Sequence, residues 1–228
     1  MERYGTIPKR FTKEWWDYFW YYYKWRVIFI LVAVIFLAIT CTQCAMRIDY
    51  DMKISYVGSN YYYEQNLKTF TDALVPIIDD KNGDGKKYVQ VVQMNVADAG
   101  SPNAGSEYNS AMMSKEAVEI HAGETYMFIM NKQETDRILS QDGAANVFEN
   151  MSAILTKQIP EDRLVYKDGV PYAVNISGNK FLADNGFFNE DVYMLIRRVR
   201  EKDENDEKEK IAYNNAVKTA NTILEYDN

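Results

Sequence analysis

Asp80, Asn82 and Asp84 stand at alternate positions of the loop Asp80-Lys81-Asn82-Gly83-Asp84-Gly85, which opens like an EF-hand-type calcium site. Oxygen-bearing side chains at the first, third and fifth positions converge on one point, and a glycine at the sixth makes the sharp bend. The neighbouring Asp79 adds a further carboxylate. The twelfth position, however, is Val91, which has no carboxylate to chelate the ion, and a strand pattern follows where an EF-hand has a helix. The same residues also make a helix-to-strand turn, because Asn, Asp and Gly accept left-handed backbone and Asx hydrogen bonds. The missing features favour the turn, with a weak Ca²⁺ site as the alternative. No other cofactor is expected.

Tyr61-Tyr62-Tyr63 follows a strand pattern at its carboxyl end, the edge where ligands bind in open α/β sheets. Three adjacent phenol rings offer a stacking platform for a ligand or partner. Packing at a helix start is the competing reading, since aromatic side chains mostly bury. Cys41 and Cys44 have the spacing of a redox or metal motif, but no second pair follows and His121 is the only histidine. Both cysteines read as small residues at the end of an apolar span. His121 precedes Ala122-Gly123 and reads as the basic residue of a helix C-terminus. No Ser or Cys nucleophile signal accompanies it. None of the carboxylates forms a recognisable catalytic pair, and neither common phosphate-binding glycine loop occurs. The domain is expected not to be an enzyme.

The elements that carry these residues begin with a membrane segment. Residues Val27 to Ala45 contain no charge, and Arg26 and Arg47 close the two sides. About twenty residues at ~1.5 Å each span ~30 Å, the depth of a bilayer's hydrocarbon core. A buried helix of a soluble protein is the alternative, but such helices rarely need so long an uncharged run. The preceding WWDYFWYYYKW holds Trp15, Trp16, Trp20 and Trp25, and with Arg26 it makes an anchor at headgroup level. This stretch either lies along the inner surface as an amphipathic helix or continues the span. Arg3, Lys9, Arg10, Lys13, Lys24 and Arg26 outweigh Glu2, Glu14 and Asp17. The positive-inside rule therefore keeps the N-terminus cytoplasmic and places the C-terminal part outside the cell membrane. The long basic region, the long apolar run and the lack of a small-x-small site point to an uncleaved signal anchor. The residues before Cys41 and Cys44 fit a lipobox poorly. The expected partition is 1–26 cytoplasmic, 27–46 membrane-spanning and 47–228 extracytoplasmic, with the lipid bilayer as one partner.

The net charge of −7 understates the acidity of the outer part, because the N-terminal stub is basic. An acidic domain lacks the phosphate-neutralising patch that nucleic acid requires. No cysteine follows Cys44, so a packed core and not disulfides must hold the outer domain together. Its roughly 180 residues suffice for one such core. Tyr50–Gly58 alternates as a strand does, and Tyr61–Ile78 has the three- and four-residue apolar spacing of a helix. Lys87–Val96 is a second strand, Ala97–Ser106 a loop and Glu107–Ala122 a helix capped by Gly123. Thr125–Met130, TYMFIM, is the apolar run of a strand buried on both faces. Gln133–Leu139 is a short helix, and Ala145–Thr156 suggests another. Leu164–Ile176 holds two strand pieces around Asp168-Gly169, Asp191–Val199 is a further strand, and Ile211–Tyr226 is a closing helix after the charge run EKDENDEKEK. Strand and helix alternate from Tyr50 to Leu139, which demands crossovers and a mainly parallel sheet. The expected fold is a three-layer α/β domain behind a transmembrane helix.

This order of elements, with Ala122-Gly123-Glu124 before TYMFIM and Asp142-Gly143-Ala144 after the next helix, resembles the first lobe of extracellular solute-binding proteins of ABC transporters. Val170-Pro171-Tyr172-Ala173-Val174-Asn175 is similar to the strand that leads such proteins toward their hinge. The whole chain also resembles a group of single-span bacterial membrane proteins with a YYKW-type segment and an NGDG turn. The resemblance implies a single periplasmic-binding-like lobe. It does not imply a closed ligand site: only about fifty residues follow Val174, where a second lobe needs on the order of a hundred. No ligand residues carry over. The leading expectation is a membrane-tethered, non-enzymatic binding or scaffold domain that docks another envelope protein. A one-lobed solute receptor serving a transporter and an envelope hydrolase are the alternatives.

Overall fold

The computed structural model describes residues 8–45, 48–187 and 191–226. Glu2, Arg3 and Arg47 lie outside them, as does the side chain of Cys44. The chain divides into two compact units, Met1–Ile48 and Asp49–Asn228.

The first unit is one helix, α1, Lys13–Ala45. No glycine or proline interrupts it. The Thr12 hydroxyl accepts a hydrogen bond from the Trp15 amide and caps its start. At ~1.5 Å per residue its 33 residues reach ~50 Å, more than a hydrocarbon core. Lys13–Gln43 is long and apolar enough to cross a membrane, and none of its most apolar window is buried. Thr40 and Thr42 donate their hydroxyls to the carbonyls of Phe36 and Ala38 at 2.9 and 3.0 Å, so neither demands water. The Trp-rich stretch continues the same helix without a break.

The second unit is built on one six-stranded sheet of mixed pairing. In chain order it contains β1 (Met52–Gly58), α2 (Glu64–Leu74), β2 (Val89–Asn95), α3 (Glu107–Ala122), β3 (Met127–Asn131) and α4 (Lys132–Ser140). There follow α5 (Ala144–Val147), α6 (Met151–Ile154), β4 (Leu164–Lys167), β5 (Val170–Asn175), α7 (Lys180–Asp184), β6 (Val192–Ile196) and α8 (Glu207–Glu225). The spatial order is β2-β1-β3-β6-β5-β4. β1 pairs in parallel with β2 and β3, while the β3–β6, β6–β5 and β5–β4 pairs are antiparallel. Four of the six strands therefore run the same way. The alternation up to Leu139 builds the parallel half; the second half turns back through a hairpin at Asp168-Gly169, whose positive φ values of 53° and 78° suit a tight two-residue turn.

Every residue of β3 and β6 is buried, as TYMFIM predicts for the first of them. Their side chains alternate between two apolar clusters. Met127, Ile129, Met194 and Ile196 face one cluster with Phe70 and Leu74 of α2 and Ile223 of α8. Phe128, Met130 and Leu195 face the other with Ile120 of α3 and Ile138 of α4. Ala212, Ala216 and Ala220, four residues apart, are buried on α8 and let it approach the sheet closely.

Several elements differ from expectation. α2 begins only at Glu64, because Tyr63 is extended at φ −68°, ψ 150° and serves as the N-cap. Ala145–Thr156 is not one helix. Phe148, at φ −104°, ψ 151°, separates α5 from α6 and forms a bridge with Arg197. α7 falls in a segment whose five helical residues are too few for a periodic signal. α8 starts inside the charge run, where Asp206 accepts from the Lys208 amide at 2.8 Å.

Candidate functional site

The carboxyl ends of β1 and β2 converge on one edge of the sheet. The connection through α2 packs on the first apolar cluster and that through α3 on the second, so the chain leaves β1 and β2 toward opposite faces. Here a cleft of about 410 Å³ is lined by Ser59, Asn95, Asn103, Ser106, Tyr108 and Asn109. Asn109 is buried. Its Oδ1 accepts from the Ala97 amide at 2.8 Å and its Nδ2 donates to the Ala104 carbonyl at 2.7 Å, which fixes the covering loop. Asn95 donates to the Asn60 carbonyl and ties the two strand ends together.

The tyrosine trio beside this edge divides. Tyr62 is 3% exposed, stacks on Phe187 at 4.6 Å and meets Tyr56 edge-on at 4.8 Å. It belongs to the core. Tyr61 and Tyr63 are 66% and 72% exposed and touch each other edge-on at 5.9 Å. The extended backbone sends alternate side chains to opposite sides, which produces this split. Gln93 of β2 locks the corner: its Oε1 accepts from the Tyr62 amide at 3.1 Å and its Nε2 donates to the Tyr62 carbonyl at 3.0 Å. The outward pair is thereby held on a fixed backbone.

The Asp80–Gly85 loop is closed by its own side chains. Asp80 accepts from the amides of Asn82, Gly83 and Gly85 at 3.1, 2.6 and 2.8 Å. These bonds, that from Gly85 foremost, hold its carboxyl below the usual range. Asn82 accepts from the Asp84 amide and Asp84 from the Lys86 amide, both at 2.8 Å. The buried Asp51 braces both ends of the turn, accepting from the Lys81 and Tyr88 amides at 2.7 Å each. Asn215 of α8 accepts from the Asp79 amide and donates to the Asp79 carbonyl, both at 2.8 Å. Asp79 itself is turned toward Lys218. Among the described residues no group of three or more His, Cys, Asp or Glu side chains is arranged to hold a metal ion.

A buried acidic pair escaped the sequence reading. Glu116 of α3 and Glu134 of α4 are 0% and 1% exposed, and Arg137 bonds to both. Burial, opposed by the Arg137 charge and reinforced by that of Glu134, pushes the Glu116 carboxyl up to about 7. Its Oε1 has no partner among the described residues. The signal was present: Glu116 lies four residues before Ile120 on the face that packs on the sheet. A smaller cavity of about 200 Å³ adjoins Arg137, with His121 and Asp142 on its wall, but Glu116 does not line it.

In the first unit, Trp16, Trp20 and Trp25 are about half exposed or more. Trp15 stacks on Phe19 at 5.4 Å, Phe19 stacks on Tyr23 at 5.6 Å, and the Arg26 guanidinium lies 5.5 Å from the Tyr23 ring. Cys41 is a free, exposed thiol. No protein-family model, curated protein or solved structure matches the chain.

Proposed function

We propose that this chain is a membrane-anchored, non-enzymatic docking protein. Its outer three-layer α/β domain binds another envelope protein through the tyrosine edge. The observation that carries the reading is the Tyr61–Tyr63 pair, two large rings left in solvent on a backbone that Gln93 fixes. Rigid exposed aromatics lose little entropy on binding and supply a disproportionate share of interface energy. The two apolar clusters on the sheet support the three-layer arrangement. The uncharged helix and the basic excess before it support a single span with a cytoplasmic N-terminus, the Trp residues and Arg26 seating it at the headgroups. The parallel β2-β1-β3 half supports the likeness to a solute-binding lobe. The perturbed Glu116 supports no hydrolase, since it is fully buried and lines neither the cleft nor the smaller cavity.

A membrane-impermeant cross-linker applied to intact, wall-stripped cells tests both parts. The outer domain should be labelled and joined to a discrete second protein. Tyr61→Ala with Tyr63→Ala should lower that product at least ten-fold without moving the thermal midpoint, because neither ring is in the core. An unlabelled domain overturns the orientation, and undiminished capture by the double variant overturns the docking edge. The neutral cleft beside the edge favours the receptor alternative. If that holds, a small polar solute should protect Ser59 and Asn95 amides from exchange, and no protein should be captured.

We read the Asp80, Asn82 and Asp84 loop as a self-braced turn. Millimolar Ca²⁺ should leave the thermal midpoint unchanged, since only a ligand of the folded state raises it. A saturable rise abolished by Asp84→Ala would make the loop a calcium site.

A further inference from the structure

The open edge of the sheet at β2 has a partner written into its ends. We propose that β2 pairs antiparallel with β2 of a second copy of this chain, across a two-fold axis at Val92, so that two six-stranded sheets become one. The two edges of the sheet are treated differently. β4 is only four residues long, carries a register shift between Val165 and Tyr166, and ends on Lys167. Short length, irregularity and lysine are the devices by which edges are kept from pairing. β2 has none of them: it is seven residues long, in unbroken register with β1, and reads VQVVQMN without charge, proline or glycine.

The free groups on this edge are identifiable. Val96 donates to the Gly58 carbonyl at 2.9 Å, and Gly58 stands in register with Asn95. Even-numbered residues of β2 therefore turn their N–H and C=O toward β1, and alternation in a parallel ladder turns those of Val89, Val91, Gln93 and Asn95 outward. An antiparallel copy centred on Val92 sets Val91 opposite Gln93 and Val89 opposite Asn95, so that each outward group meets another.

Charge selects this register. Lys87 is occupied by the Ile78 carbonyl at 2.6 Å, which leaves Lys86 as the exposed cation before the strand. Asp98 is the exposed carboxylate after it. The two lie equally far from Val92, so the two-fold pairing brings Lys86 of each copy beside Asp98 of the other. A parallel partner would stack lysine on lysine. The interface is self-complementary, as a closed dimer requires. It adjoins the tyrosine edge through Gln93, but it uses the backbone of β2 and not the Tyr61 and Tyr63 rings, so it does not depend on the docking reading.

Val92 then faces its own copy at a non-hydrogen-bonded position, where Cα atoms approach to about 4.5 Å, within disulfide reach. The test uses the full chain in its membrane with Cys41→Ser and Cys44→Ser. Under mild oxidation Val92→Cys should convert most of the chain to a covalent dimer. Gln90→Cys should yield at least ten-fold less, because its copies are offset by four residues, about 13 Å along the strand. Lys86→Asp in the Val92→Cys chain should reduce the product several-fold, and adding Asp98→Lys should restore it. Both charge positions are exposed, so folding is not at stake there. No dimer from Val92→Cys, equal yields from the two cysteine positions, or a double reversal no better than the single one overturns the proposal.

Discussion

Phe128→Ala is expected to destabilise the outer domain by about 3–5 kcal/mol, the range for truncating a fully buried phenylalanine. Phe128 has 0% exposure in the middle of β3, a strand flanked by β1 and β6. Its ring meets Phe148 edge-on at 5.8 Å and 89°, and it belongs to the cluster that seats α3 and α4. Neighbouring strands are hydrogen-bonded on both sides, so the backbone has little freedom to close the void. A typical domain has only about 5–15 kcal/mol of stability, so the loss is a large fraction of it. Tyr226→Ala is the contrast. That ring is 46% exposed, meets Phe181 edge-on at 5.3 Å and donates its hydroxyl to the exposed Asp184 at 3.3 Å. Its loss should cost under about 1.5 kcal/mol. Denaturant midpoints of both variants at unchanged slope make the comparison. Equal midpoints for Phe128→Ala and the parent would remove β3 from the interior of the sheet.

The parts of this fold that the sequence foretells are those that local chemistry decides. β1, β2 and β3 announce themselves by alternation or by an unbroken apolar run, and α3 by its Gly123 stop. The Asp168-Gly169 hairpin shows because few other residue pairs enter left-handed backbone so readily. What stays hidden is pairing at a distance. Nothing near Val192–Ile196 says that it inserts between β3 and β5, because the choice is made by the faces of two finished clusters. The site follows the same rule. Three tyrosines in a row mark an aromatic corner, but the inward turn of Tyr62 depends on Phe187, far along the chain. Gln93, which fixes that corner from 31 residues away, looks like any polar residue of an edge strand. Asp51 and Asn215 are equally silent, since a buried carboxylate or amide that closes a turn differs from a surface one only in its partners.

The pH dependence of stability should carry the mark of Glu116. In the unfolded chain this carboxyl titrates near its ordinary value of 4.5, whereas in the folded protein it does so at about 7. Below 4.5 both states hold the proton and the stability is fully present. As pH rises from 4.5 toward 7, the unfolded state gives up its proton and the folded state keeps it. Stability therefore falls at about 1.4 kcal/mol per pH unit and levels off above the folded value. The whole change is on the order of 3 kcal/mol. Glu116→Gln preserves the shape and an oxygen for Arg137, which keeps its bond to Glu134 at 2.6 Å. It removes only the ionisation. The parent and the variant should therefore have similar stability near pH 4.5, and the variant should become progressively more stable, relative to the parent, until about pH 7. Chemical unfolding of both proteins across that interval reads the difference directly, because every other titrating group is common to the two. A difference that does not change with pH would mean that the Arg137 charge outweighs burial and that Glu116 is ionised within the fold. In that case Gln should cost stability at every pH in the interval, since it would break a charged pair already formed.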